Sequence, residues 1–230
     1  MTNPGDNPAP PLEALSIETP IHGRYLVRVP ASPPAGWVVG FHGYKENAEV
    51  QMHRLSAIPV SDWLLVSIQG LSRFYRGRST EVIASWMTRQ DRELAIADNR
   101  DYVSRVIDTL RRRFPMDGPC VFAGFSQGVA MAYRAAVALS QSSPSVSVGV
   151  VAVGGDLPPE LEPSGLSRLA AVLVIRGERD DWYTTAKCQS DAARLAAAGV
   201  PAQVAVIDAE HAWNDECGQR AGELMRRLLK

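Results

Sequence analysis

Several short stretches of this chain are almost continuously apolar and rich in β-branched residues: Trp37–Phe41, Trp63–Ile68, Pro119–Phe125, Val146–Val153 and Ala171–Ile175. Runs of this length are strands, and the loss of polar/apolar alternation means that both faces of each strand are covered. Tyr25–Val29 and Gln203–Ile207 read as two further, less apolar strands. Helical spacing appears between the runs. Asp98–Phe114 carries Val103, Val106, Ile107, Leu110 and Phe114 on one face, and Gln127–Leu139 is apolar nearly all round. Asp215–Lys230 closes the chain with Leu224, Leu228 and Leu229 on one side and basic residues near its end, where they complement the helix dipole. Such alternation predicts an α/β fold: a doubly wound, mostly parallel sheet of about seven strands with helices on both faces.

A length of 230 residues suits one domain of this kind. Residues 1–20 begin with a Pro-, Asn- and Gly-rich run and read as a flexible lead-in, leaving 21–230 as a single domain. Gly70–Gln90 is the longest connection without a period, and long loops in such folds are often functional. Lys and Arg (24) nearly balance Asp and Glu (25), so nothing points to a nucleic-acid partner. Cys120, Cys188 and Cys217 have neither disulfide-like nor metal-like spacing. Without a secretory leader or an apolar run of roughly 20 residues, the chain reads as cytoplasmic, with no integral membrane association.

Gly124-Phe125-Ser126-Gln127-Gly128 has the form G-x-S-x-G, entered from an apolar strand and left by a small-residue helix. That context raises a serine hydroxyl on a sharp, strained turn, with glycines removing Cβ atoms that would clash. The hydroxyl needs a histidine to take its proton, and the histidine needs a carboxylate to fix its tautomer. Of the four histidines only His211 lies downstream of Ser126, as the order Ser–acid–His requires; His22 and His53 read as solvated and His42 stands in a His-Gly turn. Asp180 is the expected acid. Asp181 is the alternative or else a helix cap, and Asp156 is a further candidate after the preceding strand. Negative charge developing on a carbonyl oxygen needs two backbone donors. These are expected to be the amide of Gln127 and, after the second strand, that of Tyr44.

With these residues assembled, the chain resembles the α/β-hydrolase superfamily, and within it the compact phospholipase/carboxylesterase family that includes acyl-protein thioesterases. The resemblance spans roughly residues 24–230. The family pattern is H-G-x-G-D, then G-F-S-Q-G, then H-G-x-x-D. Here Gly124–Gly128 matches in full, Lys45 and Glu46 replace the Gly and Asp of the first segment, and Arg176 replaces the His of the third. The third segment also favours Asp180 over Asp181. The resemblance implies a serine esterase that hydrolyses carboxylic esters or thioesters without a metal or organic cofactor, and 230 residues are expected to leave no stretch for a cap domain. Acyl transfer or peptide cleavage on the same triad, or a catalytically silent binding protein, are the competing functions. Trp86, Trp182 and Trp213 are expected to wall the substrate pocket, whereas Trp37 and Trp63, at strand starts, belong to the core. Arg73, Arg76, Arg78 and Arg89 either favour an anionic substrate or form a solvated charged loop. The expected partner is a small-molecule ester or thioester, with a homodimer as the assembly left open.

Overall fold

The computed structural model describes residues 12–230. Much of the expected lead-in, residues 1–11, lies outside them, and residues 12–21 are exposed and form no helix or strand. The chain runs β1 (Tyr25–Arg28), β2 (Gly36–Phe41), α1 (Ala48–Ser56), β3 (Trp63–Ile68), β4 (Ser72–Tyr75), β5 (Val82–Ser85), α2 (Arg92–Arg111), β6 (Cys120–Phe125), α3 (Gln127–Ser142), β7 (Val148–Val153), α4 (Pro163–Leu166), β8 (Ala171–Gly177), α5 (Thr185–Ala197), β9 (Ala202–Ile207) and α6 (Asp215–Leu228). Seven strands form one sheet in the order β1-β3-β2-β6-β7-β8-β9. Only β1 runs antiparallel to its neighbour. This is the α/β-hydrolase fold, and all seven apolar runs became its strands.

Alternate residues of each strand feed two cores. Trp37, Val39, Phe41 and Phe122 join residues of α2, α3 and α5 on one face, while Val38, Val121, Ala123 and Phe125 join α1 and α6 on the other. Trp37 and Trp63 are buried, as their places at strand starts suggest. The near-uniform apolarity of α3 follows from its position over the centre of the sheet, against β6, β7 and β2. A Cβ at Gly128 would lie 2.2 Å from the Phe41 carbonyl oxygen, so only glycine lets the helix start this close to β2.

Two stretches differ from the sequence reading. Gly70–Gln90 is not an irregular loop. It holds the β4–β5 hairpin, a separate two-stranded sheet. Residues 72–82 are all exposed, so the hairpin has no continuous buried face to print a period on the sequence. Helix α2 begins at Arg92 rather than Asp98, because its first turn is polar and contributes only Ile96 to the core before Asn99. Cys120, Cys188 and Cys217 are buried and unbridged. Among the described residues no helix is long and apolar enough to cross a membrane.

Candidate active site

Ser126 sits between β6 and α3 with φ 51° and ψ −119°, a conformation that costs a non-glycine residue on the order of 1–3 kcal/mol. Both flanks hold it there. Its N–H donates to the Val153 carbonyl (2.9 Å) and its carbonyl accepts the Val129 N–H (3.0 Å). Ser126 Oγ–H donates to His211 Nε2 at 2.9 Å. On the far side of the ring, Nδ1–H donates to Asp180 Oδ2, also at 2.9 Å. Hydrogen bonding to a carboxylate places the proton on Nδ1 and leaves Nε2 free to accept. The Asp180 side chain is 1% exposed and that of His211 23%.

Asp180 is aimed by backbone. Its Oδ1 accepts the amides of Trp182 and Tyr183, each at 2.9 Å, so both carboxylate oxygens are occupied. The turn after β8 is laced to the turn after β9: Glu178 N–H donates to Ile207 O (2.8 Å) and Arg179 N–H to Ala209 O (3.0 Å). Gly154, at φ +62°, ends β7 beside the pair, where a Cβ would lie 3.2–3.3 Å from the His211 ring and Asp180 Oδ2. The other candidate acids are elsewhere. Asp156 pairs with Lys187 (3.3 Å), and Asp181 is exposed and does not cap α5. Thr184 does, because α5 starts at Thr185 rather than near Tyr183. His22 and His53 are exposed.

Neither the Tyr44 nor the Gln127 amide donates to an acceptor among the described residues. Two residues before Tyr44 stands a buried histidine. His42 Nδ1–H donates to the Gly43 carbonyl (2.7 Å), and Nε2 accepts the Gly70 N–H (3.0 Å). Burial pushes this imidazole below its ordinary pKa, against the upward pull of the Gly43 carbonyl and Glu46. Glu46 accepts the Gly43 N–H (2.7 Å) and a two-pronged bond from Arg54 (2.6 and 2.7 Å). Burial raises the Glu46 carboxyl, but the Arg54 hydrogen bonds and charge outweigh it and hold the group below its ordinary range. Arg54 also lies 4.4 Å over the Phe125 ring, whose centroid is 5.0 Å from that of His211. Lys45, where the family pattern has glycine, occupies the left-handed region with φ 62°.

The tryptophans divide. Trp86 does not wall a pocket: it has no exposure, packs edge-on against Phe41 and donates its indole N–H to the His42 carbonyl (2.8 Å). It lies just past β5, where the core absorbs the ring and a backbone oxygen satisfies its N–H. Trp182 is 76% exposed with its ring 6.5 Å from that of His211. Trp213 is partly buried against the core on the α1/α6 side. The exposed Tyr44 ring lies 6.3 Å from that of Phe74. Arg76 pairs with Glu81 and Arg73 donates to the His22 carbonyl, so two of the four hairpin-region arginines serve local structure.

Three supporting residues escaped the sequence reading. Asn99, a polar residue on the buried face of α2, donates to the Trp86 carbonyl (2.9 Å). Its place among Ile96, Val103 and Val106 was the available signal. Arg176 donates to the carbonyls of Gly177 and Glu178 and to Thr185 Oγ1 (2.8 Å), bracing the turn that carries Asp180. Asp191 accepts from the Leu157 N–H (2.9 Å) and Tyr183 O–H (3.0 Å). Burial raises its carboxyl pKa despite those bonds.

The fold is shared with an acyl-protein thioesterase 2 of Zea mays (TM-score 0.70, 18% identity, covering 91% of this chain and all of that one). It is shared also with a carboxylesterase of Mesorhizobium loti (0.70, 14%, 89% of this chain and 94% of that one) and with esterase PE8 (0.68, 18%, 90% and 100%). No curated protein sequence matches the chain. The serine hydrolase (FSH1) family model matches residues 38–211, well over half of the sequence, and takes in Ser126, Asp180 and His211. The chain belongs to the FSH1 serine hydrolase family.

Proposed function

We propose that this serine hydrolase cleaves carboxylic esters or thioesters through an acyl-enzyme on Ser126. The carrying observation is the continuous chain from Asp180 through His211 to Ser126, with 2.9 Å at both links. Ser126 Oγ attacks the carbonyl carbon while its proton passes to His211 Nε2, and Asp180 stabilises the imidazolium. The carbonyl electrons move onto oxygen, where the Tyr44 and Gln127 amides stabilise the charge. Collapse expels the alcohol or thiol, which takes the proton from His211. Water, deprotonated by the same nitrogen, then releases the acid.

Trp182 and Trp213 on one side and Tyr44 on the other are proposed to hold the substrate's apolar parts. With His211 partly exposed and Trp182 open to solvent, the site suits modest soluble esters better than a chain needing a deep tunnel. Three buried, unbridged cysteines suit a cytoplasmic location. One chain supplies all three triad residues, so a homodimer would assemble complete sites. A p-nitrophenyl ester series of increasing acyl length tests the reading. Turnover of short esters with a sharp fall at long chains is expected; no turnover of any ester or thioester would refute it.

A further inference from the structure

The two amides assigned to the oxyanion lie far apart in sequence, yet one short piece of backbone touches the neighbourhood of both. On one side, Ala84 exchanges backbone bonds with the Tyr44 loop: Lys45 N–H donates to Ala84 O (3.1 Å) and Ala84 N–H to Glu46 O (2.7 Å). Asn47 Nδ2 donates to Val82 O (3.1 Å), and the Trp86 indole donates to His42 O (2.8 Å). On the other side, the same stretch meets the side chain of Gln127. Gln127 Oε1 accepts the Trp86 N–H (2.9 Å) and lies 3.2 Å from the Ser85 hydroxyl, while Nε2 donates to the Met87 carbonyl (2.9 Å). A carboxamide is suited to this role because it offers an acceptor to an N–H and a donor to a C=O at once. A carboxylate would face the Met87 carbonyl with no proton to give.

We propose that the side chain of Gln127, separately from its backbone amide, is a positioning residue that clamps Ser85–Met87 to the nucleophile turn, so that Val82–Met87 sets the spacing between the Tyr44 and Gln127 donors. The proposal rests on the ester-hydrolase reading above. Donors stabilise a tetrahedral oxyanion only within about 2.7–3.1 Å of where it forms, so misplacement is felt chiefly in the transition state. Ground-state binding depends on the aromatic rim and is left unchanged.

The test uses the full chain, Gln127→Ala and, independently, Trp86→Phe, which keeps a buried ring but deletes the bond to His42. Turnover of a short p-nitrophenyl ester is measured beside affinity for a trifluoromethyl ketone, which forms a tetrahedral adduct. In Gln127→Ala, kcat should fall about 10–100-fold, short of the 10²–10³ lost with a whole donor, while KM stays within about twofold. Trifluoromethyl ketone affinity should fall in step with kcat/KM. Trp86→Phe should show the same split at smaller size, and it carries the test if Gln127→Ala does not fold. A lower Tm with unaltered kcat and ketone affinity in the folded protein would overturn the proposal, leaving a structural role. Wild-type protein that neither hydrolyses esters nor binds the ketone would overturn the hydrolase reading, and the proposal with it.

Discussion

Asp180 and Tyr44 stand on opposite sides of Ser126, beyond the ends of β8 and β2, and they are held in place by different means. Asp180 is gripped by backbone: two amides on one oxygen, and a turn laced to the turn that bears His211. The loop that carries Tyr44 shares two backbone bonds with Ala84 but hangs otherwise on side chains, namely neutral buried His42, the Glu46–Arg54 pair and the Trp86 indole. Backbone lacing follows from parallel strands in register, so the acid–base half comes with the fold itself. The proposed oxyanion half adds ionisable and aromatic groups to its backbone bonds, so acid and mutation should reach it first.

The largest effect should come from the first half. His211→Ala should leave the fold intact and lower kcat about 10⁴–10⁶-fold in steady-state assays, since the three triad residues act as a unit. Wild-type turnover would break the base assignment. Arg54→Ala strikes the second half by leaving Glu46, 19% exposed, without its cation. Urea melts should show a loss of about 2 kcal/mol, below the 3–5 of a fully buried pair. An unchanged midpoint would mean that the pair does not hold the Tyr44 loop.

Acid should separate the halves further. The folded chain resists protonating His42, whereas the unfolded chain takes up a proton near the ordinary value of 6.5. Stability is therefore unaffected by this group above pH 6.5 and declines as pH falls below it, by at most about 1.4 kcal/mol per pH unit. Glu46 adds a second window. Its contribution is present above the ordinary carboxylate value of 4.5 and is lost as pH falls through its lowered pKa. Thermal melts of His42→Asn should fall less steeply from pH 6.5 toward 5 than those of wild type, and parallel curves would contradict the assignment of a neutral, buried His42. The smallest effect is expected at Lys45, whose left-handed backbone glycine adopts freely. Lys45→Gly should stabilise by up to about 1 kcal/mol in urea melts, reduced by the extra freedom of glycine in the unfolded chain.

The same division explains what could be read from the sequence. Apolar runs, continuous in five cases and weaker in β1 and β9, marked all seven sheet strands, and the strand ends of β6, β8 and β9 led to Ser126, Asp180 and His211, because parallel sheets gather such ends at one edge. The hairpin was invisible, since its strands bury almost nothing at the tip and its one cluster of buried residues, Ile83 to Trp86, is too short to show a period. Trp86 was misplaced for the same reason. A tryptophan in an apparent loop reads as a pocket wall, and only the course of β5 carries it inward under His42. Lys45 and Glu46 looked like departures from a family pattern, yet Lys45 adopts the backbone that glycine would, and Glu46 found Arg54 in the last turn of α1.

Everything proposed for this site requires Ser126 to be a nucleophile activated by His211. The most direct measurement is to incubate the folded protein with a fluorophosphonate, digest it and locate the adduct by mass spectrometry. A single phosphonyl adduct on Ser126, absent in His211→Ala over the same time, is the expected result. No adduct, or one on another residue with Ser126 untouched, would contradict the account.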